Sequence, residues 1–298
     1  MSSTPGLPEQ LQSASAAAER RAGIVVAPGV YDALTAFIAA EAGFSCLYLS
    51  GAAVAYARLG RPDIGLVTST EMAQALTLIT ERTPCPVIVD GDTGHGNALN
   101  TQRTIKLFER AGASAIQIED QTFPKRCGHL SDKSVVPASD MVGKIKAAVD
   151  ARASQRTLII ARTDAVAVEG LEPALERAAR YAEAGADMLF IEAPQSRDQL
   201  GAICSRFINT LPLMANVVEG GRTPPMTAPN LEALGFSLVI FPGGVVRALA
   251  RVAQDYYASL RENGGNGPFS ARMLDFTGLN ELLGTETILQ QARRYENG

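Results

Sequence analysis

A closed parallel (β/α)8 barrel is the fold this sequence predicts, and three observations predict it. Eight short β-rich runs recur along the 298 residues, each followed by a longer helical stretch. The runs are continuously apolar rather than alternating, as strands covered on both faces must be. Their entries repeat one pattern: Ala42-Gly43-Phe44, Ala111-Gly112-Ala113, Ala184-Gly185-Ala186 and Leu234-Gly235-Phe236. A glycine just past a helix takes the left-handed conformation that ends it, and a strand follows. An open doubly wound sheet competes, but the glycine-rich turn expected after its first strand is absent.

Taken in order, residues 1–22 contain an Ala-rich amphipathic stretch, read as one helix outside the barrel. The strands are placed at Ile24–Ala27, Cys46–Ser50, Val87–Asp90, Ala115–Glu119, Leu158–Ala161, Met188–Ile191, Leu213–Ala215 and Leu238–Phe241. Together with their helices they define a catalytic barrel over residues 23–248. From Gly243 the chain reads helical, with a break near Asn263-Gly264-Gly265-Asn266-Gly267-Pro268. The tail over residues 249–298 repeats Leu279, Leu282, Leu283, Ile288 and Leu289. Apolar residues beyond a completed barrel need a surface to pack on, either the same barrel or a neighbouring subunit.

Composition narrows the function classes. Hydrophobic residues make up 46% and charged residues 19%, the balance of a globular protein with a large core. A net charge of −4 argues against a nucleic-acid surface. No apolar run reaches the ~18 residues of a membrane helix. The first twenty residues lack the basic start and apolar centre of a secretory signal. Cys46, Cys85, Cys127 and Cys204 show no C-x-x-C spacing, and the expectation is a reducing, cytoplasmic setting.

Chemistry in such barrels collects at the C-terminal ends of the strands. Here those ends are polar: Ser50-Gly51-Ala52, Asp90-Gly91-Asp92, Glu119-Asp120, Arg162-Thr163-Asp164, Glu192, and Asn216 with Glu219. Asp90 and Asp92 share the D-x-D spacing that turns alternate side chains of an extended segment the same way. Oxygen ligands without clustered His or Cys suit Mg²⁺ or Mn²⁺, and Asp63 and Glu119 complete the expected shell. The bland alternative for D-x-D is a turn with Asx hydrogen bonds. The backbone N–H groups of Ser50, Gly51 and Ala52 lie at a strand-to-helix turn suited to a carboxylate. Arg162 either reads a substrate carboxylate bidentately or pairs with Asp164 or Glu192. His95 either touches substrate or caps its glycine-flanked loop. Just past the fourth strand, Lys125-Arg126-Cys127-Gly128-His129 sets a thiol among cations, which favour the thiolate; a buried, inert thiol is the alternative.

These segments carry a family likeness. Tyr48-Leu49-Ser50-Gly51, Val89-Asp90-Gly91-Asp92-Thr93-Gly94, Ile118-Glu119-Asp120-Gln121, Lys125-Arg126-Cys127-Gly128-His129 and Ala161-Arg162-Thr163-Asp164 resemble the isocitrate lyase / phosphoenolpyruvate mutase superfamily, in its lyase branch. The resemblance covers about residues 27–243, and the tail is also similar. It implies a Mg²⁺-dependent barrel acting on a small 2-hydroxy di- or tricarboxylate. It also implies a homotetramer whose C-terminal helices are exchanged between paired subunits.

Carried over by resemblance, Asp90 and Asp92 belong to the metal site, with Asp63 and Glu119 assisting. Ser50, Gly51 and Ala52 hold the 2-oxo acid carboxylate, and Arg162, Glu192 and Asn216 line the substrate. Gly128 and His129 grip the second product, while Cys127, in its Lys125-Arg126 setting, protonates the departing carbanion. Tyr48 and Glu192 are the candidates for the base that takes the hydroxyl proton. The implied reaction cleaves C2–C3 of a substituted malate, of the 2-methylisocitrate or 2,3-dimethylmalate type, to a 2-oxo acid and a carboxylic acid.

Departures bear on the substrate. His95 stands where methylisocitrate lyases usually have an aromatic, and Leu130-Ser131 where they have Arg-Pro. Val218 replaces a Thr, which removes a hydroxyl for a third carboxylate and favours an alkyl malate. A carboxyphosphonoenolpyruvate phosphonomutase, an oxaloacetate hydrolase and a dicarboxylate-binding barrel without activity are the competing readings.

Overall fold

The structure, a computed structural model, describes residues 5–15, 23–128 and 132–296. Its first compact unit, Met1–Val246, contains eight parallel strands closed into a barrel in the order β1-β2-β3-β4-β5-β6-β7-β8. They are β1 (Val25–Val30), β2 (Leu47–Leu49), β3 (Val87–Asp90), β4 (Ala115–Glu119), β5 (Leu158–Thr163), β6 (Met188–Ile191), β7 (Leu213–Asn216) and β8 (Leu238–Phe241). The expected strands are all present. β1 runs later than the sequence suggested, β2 is shorter at both ends, and β5 and β7 extend further. β5 extends because Arg162 and Thr163 still pair with Phe190 and Ile191 of β6.

Helices separate the strands: α2 (Ala33–Glu41), α3 (Gly51–Val54), α4 (Ser69–Arg82), α5 (Ala98–Arg110), α6 (Ala138–Ala151), α7 (Leu171–Glu183), α8 (Arg197–Phe207) and α9 (Ala228–Leu234). Their starts follow from local chemistry. Asp32, Thr68 and Asn97 each form a capping box at the head of α2, α4 and α5. Gly43, Gly112, Gly185 and Gly235 have φ of 90°, 96°, 103° and 119°, the left-handed stop that their sequence context implies.

Each strand turns one set of alternate residues into the barrel and the other toward the helices. The inward set includes Val25, Cys46, Ile88, Ala115, Ile160, Met188, Phe190, Met214, Leu238 and Ile240, which form one buried cluster. The outward set, including Leu47, Leu49, Val87, Val89, Ile116, Ile118, Ile159 and Val239, joins the larger helix-facing core. The barrel is therefore filled below its mouth. A helix preceding the barrel, α1 (Leu7–Ser15), adds Leu7 and Leu11, one turn apart, to the inner cluster. Gln10 fixes it by donating from Nε2 to the Ser45 carbonyl at 3.0 Å and accepting from Ser45 Oγ at 2.9 Å. The Ala-rich residues 16–18 lie outside the described residues.

The second unit, Arg247–Gly298, comprises most of α10 (Gly244–Asn263), a 3-10 segment Gly267–Arg272, α11 (Phe276–Leu283) and α12 (Thr285–Glu296). Phe269 is buried in it, edge-on to Tyr256 at 5.4 Å, with the Arg272 guanidinium 4.5 Å from its ring centre. Phe276, Ile288 and Tyr295 are exposed. Among the described residues no helix is long and apolar enough to cross a membrane.

Candidate active site

The polar residues of the barrel occupy the last inward positions of the strands, above the apolar filling. Glu119 of β4 pairs in register with Arg162 of β5, and Asp90 of β3 with Gln117 of β4. That register sets Arg162 beside Glu119 and sets Asp90 beside Gln117, two residues earlier on β4. Asp63, Asp90, Asp92, Glu119, Arg162 and Glu192 are all buried.

Asp90 is held on three sides. Its Oδ1 accepts from the Asp92 N–H and from Gln117 Nε2, both at 3.2 Å, and its Oδ2 accepts from the Gly51 N–H at 3.3 Å. Strand alternation does not explain how Asp92 joins it. β3 ends at Asp90, and Asp92 has φ of 46°, a left-handed conformation costly for a residue with a side chain. The Glu119 N–H to Asp92 carbonyl bond, 2.9 Å, holds it there. Gly91 makes the turn feasible, since a Cβ there would lie 2.6 Å from the Gln117 carbonyl oxygen. The two carboxylates then converge. A Cβ placed on Gly51 would stand 3.2 Å from Asp90 Oδ2 and 3.5 Å from Asp92 Oδ1.

Asp63 arrives by a different route. Ser50 caps α3, accepting at Oγ from the Ala53 N–H at 3.2 Å. A π-helical turn, Ala55–Leu59, continues α3 and ends at Gly60 with φ of 59°. The loop beyond it brings Asp63 Oδ1 to 2.6 Å from Lys125 Nζ. The same ammonium lies 2.9 Å from Asp92 Oδ1. Lys125 thus bridges Asp63 and Asp92 inside the mouth, although its sequence position suggested a neighbour for the thiol.

Across the mouth, Arg162 donates from Nε to Asp164 Oδ2 at 2.8 Å and from Nη2 to Asp164 Oδ1 at 3.1 Å, and its Nε lies 3.2 Å from Glu119 Oε2. Of the alternatives open for Arg162, the Asp164 pair is formed. Asn216 Nδ2 approaches Glu192 Oε2 at 3.2 Å. Tyr48, fully buried, donates its hydroxyl to Gln117 Oε1 at 2.9 Å. Burial, then the charge of Asp90, drives the Tyr48 phenol well above its ordinary range. A phenol so placed aligns Gln117 under Asp90 and is a poor proton acceptor.

Electrostatics mark the mouth as short of positive charge. Asp63, Asp90, Asp92 and Glu119 outnumber Lys125 and Arg162. Burial, only partly offset by Lys125 and reinforced by Asp90 and Asp63, pushes Asp92 up to about 7. Burial likewise drives Glu119 well upward in spite of Arg162. Glu119 Oε1 and Asn216 Oδ1 are buried without a hydrogen-bond partner. Such oxygens require a ligand, water or cation. Among the described residues no group of three or more His, Cys, Asp or Glu side chains is arranged to hold a metal directly. The arrangement fits a cation that keeps much of its water and takes one or two carboxylates, as Mg²⁺ does.

The thiol loop lies over this mouth. Gln121 grips it at Arg126, donating from Nε2 to the Arg126 carbonyl at 2.8 Å and accepting the Arg126 N–H at 2.9 Å. The Cys127 N–H donates to the Asp63 carbonyl at 3.2 Å. A Cβ on Gly128 would fall 2.5 Å from Arg162 Nη2 and 2.8 Å from Glu192 Oε1, so a larger residue would displace the loop or these two side chains. Cys127 is half-buried, whereas Cys46, Cys85 and Cys204 are buried. Arg126 lies 3.5 Å from Asp132 at the surface. His129, predicted for the site, lies outside the described residues, as do Leu130 and Ser131.

A family model for phosphoenolpyruvate phosphomutase matches residues 16–261. The 2,3-dimethylmalate lyase of Eubacterium barkeri is 41% identical over 92% of this chain and 94% of its own length. The chain belongs to the phosphoenolpyruvate mutase / isocitrate lyase superfamily. The 2-methylisocitrate lyase of Aeropyrum pernix, 45% identical over 88% of this chain and 83% of its own, is a further relative. In three dimensions a crystal structure of 2,3-dimethylmalate lyase superposes with a TM-score of 0.87 at 33% identity, covering 96% of this chain and 95% of the other. A phosphonopyruvate hydrolase in complex with oxalate and Mg²⁺ superposes with a TM-score of 0.85 at 29% identity, over 98% and 99% of the two chains.

In this superfamily member, the sequence assigned no role to several residues that build the site. Gln117 is inward-facing two positions before Glu119, and a glutamine inside an apolar strand was a readable signal. Asp120 accepts from Thr163 Oγ1 at 2.7 Å, the Asp164 N–H at 2.9 Å and Tyr181 Oη at 2.8 Å, and so anchors the end of β5. Gln121 stood in a matching motif without a role of its own, and Lys133 had no local signal, because the partners of both are set by the path of the loop.

Proposed function

We propose that this protein is a Mg²⁺-dependent (or Mn²⁺-dependent) carbon–carbon lyase. Its substrate is a substituted malate of the 2,3-dimethylmalate or 2-methylisocitrate type, which it cleaves to a 2-oxo acid such as pyruvate and a carboxylic acid. The observation that carries the proposal is the placing of Cys127 and Gly128 over a buried carboxylate cluster at the ends of β3 and β4, in a chain whose relatives bear those lyase names.

Asp90 and Asp92 would hold the cation, with Asp63 and Glu119 assisting through water. Bound there, Mg²⁺ supplies Lewis-acid polarisation of the substrate's carboxylate and hydroxyl oxygens. The chain's own groups do the rest. The turn Ser50-Gly51-Ala52 receives the carboxylate of the 2-oxo acid half, and Arg162 and Asn216 orient the other half. Glu192 takes the C2 hydroxyl proton, since Tyr48 is committed to Gln117. As the C2–C3 bond breaks, its electron pair moves into the departing carboxylate. Cys127 then gives its proton to C3, a contribution of ~10²–10⁴-fold for a placed general acid. Lys125 keeps Asp63 and Asp92 in place beneath the thiol loop, Arg126 fixes the loop through Gln121, and Gly128 with His129 closes over the second product and excludes water.

The exposed apolar residues of α11 and α12 support a homotetramer with these helices exchanged between subunits. The proposed division is 1–22, 23–248 and 249–298. Four cysteines held as thiols support a cytoplasmic location.

The test is release of 2-oxo acid from 2-methylisocitrate, isocitrate, 2,3-dimethylmalate, 2-ethyl-3-methylmalate, citramalate and oxaloacetate, with Mg²⁺ and after EDTA. Metal-dependent pyruvate from a substituted malate supports the lyase. Acetate and oxalate from oxaloacetate would replace it with a hydrolase, and silence from folded protein on every compound would reject it.

A further inference from the structure

Lys133 lies outside every motif that drew attention in the sequence, yet its side chain is only 2% exposed. Its Nζ donates to Asp164 Oδ1 at 2.8 Å and to the Gly128 carbonyl oxygen. A buried ammonium is costly to desolvate unless its donors are met, so this is a committed placement rather than a surface lysine folded inward.

The two acceptors belong to opposite parts of the site. Gly128 is in the thiol loop, next to Cys127. Asp164 is at the end of β5, where the same Oδ1 also accepts from Arg162 Nη2 at 3.1 Å. Arg162 in turn lies directly beneath Gly128. Gly128, Lys133, Asp164 and Arg162 therefore form a closed ring of contacts. The far side of the ring is rigid, because the Asp164 N–H is bonded to Asp120, itself held by Thr163 and Tyr181. The near side is fixed at its base. Gln121 and Val135 form an antiparallel bridge, and the Thr122 N–H donates to the Ser134 carbonyl at 2.9 Å. Lys133 immediately precedes that stem and reaches back from it to the loop's tip.

We propose that Lys133 is a positioning residue that sets the height of the Gly128 backbone, and hence of the Cys127 thiol, over Arg162 while holding Asp164 in its grip on Arg162. A single ammonium serves both because it can donate to a carbonyl and a carboxylate at once. Loss of Lys133 frees the loop tip and leaves Asp164 to Arg162 alone. The kinetic consequence rests on the lyase reading above; the consequence for thiol exposure rests only on the site's holding oxalate.

The experiment compares wild type with Lys133→Ala, Lys133→Gln and Lys133→Arg as Mg²⁺-loaded full-length protein. Two quantities are measured: kcat and KM on the substrate found by the panel, and the rate at which iodoacetamide alkylates Cys127 with and without oxalate. Lys133→Ala is expected to lower kcat by ~10²-fold, the scale of a displacement of about 1 Å. It should also weaken oxalate protection of Cys127 by about tenfold, with Lys133→Arg recovering part of both. Should Lys133→Ala not fold, Lys133→Gln, which keeps a donor for the Gly128 carbonyl but no charge, is expected to show the same two changes at smaller size. Wild-type kcat together with wild-type oxalate protection in a folded variant overturns the proposal. A wild-type protein silent on the whole panel would count against the lyase reading, while the alkylation comparison would still decide the role of Lys133.

Discussion

Arg162 Nε stands 3.2 Å from Glu119 Oε2 because the two residues occupy paired positions on adjacent strands of the barrel. Asp164, two residues on, completes the guanidinium's partners. The cation that would read a substrate carboxylate is thus pre-aimed by two carboxyl groups of its own. A substrate carboxylate arriving at Arg162 meets an oriented donor rather than a mobile side chain.

The first prediction concerns Cys127. Cys127→Ser should abolish carbon–carbon cleavage and leave Mg²⁺ and pyruvate binding by calorimetry nearly unchanged. Loss of metal binding in this variant would contradict the role of proton donor.

Thiol chemistry gives a second. Burial pushes Cys46 and Cys204 up to about 12. At pH 7–8 native protein treated with iodoacetamide should carry its first label at Cys127, with Cys46 and Cys204 unmodified until the chain unfolds. Peptide mass spectrometry reads the order, and early labelling at Cys204 would count against the packing described.

A third follows from the closeness of Gly128 to Arg162 and Glu192. Gly128→Ala places a methyl where 2.5 Å separates it from Arg162 Nη2. Either the loop rises or Arg162 and Glu192 leave their positions, and by either route kcat/KM should fall by ~10²-fold. The melting temperature should stay close to that of wild type, because the strain is confined to a loop. Unchanged kinetics would mean that the loop works at a greater height.

Acid stability tests Asp164. Burial raises its pKa, but Arg162 and Lys133 more than offset this and hold it down to about 2, below the 3.8 of a free side chain. Its ionisation therefore stabilises the fold fully above pH about 4, and that stabilisation, about 2 kcal/mol, is lost as pH falls toward 2. Asp164→Asn should be less stable at pH 7, by the ~3–5 kcal/mol typical of a broken buried pair. It should also lose less on going from pH 4 to 2. Equal acid sensitivity in the two proteins, followed by circular dichroism, would reject the assignment.

The barrel was legible in the sequence for a physical reason. Strands covered on both faces must be continuously apolar, and helices must stop at a residue that tolerates φ above zero, so Val87–Asp90, Ala115–Glu119 and Gly112 could be placed from composition alone. The strand-end carboxylates were legible too, since Asp90, Glu119 and Glu192 each end an apolar run. The partners of these groups were not legible. Lys125 read locally as a neighbour of the thiol, and only the folding of the Asp63 loop against the thiol loop gives its ammonium two carboxylates. Asp90 and Asp92 converge through the left-handed turn at Asp92, imposed by Glu119 and permitted by Gly91, and not through the strand alternation that their spacing suggested. Sequence determined which residues reach the mouth of the barrel, because periodicity and burial are local properties of the chain. Beyond the Arg162–Asp164 pair, which the sequence offered, the charges that meet there were decided by tertiary structure, because ion pairs between Lys133 and Asp164 or Lys125 and Asp63 depend on loop paths that no local pattern encodes.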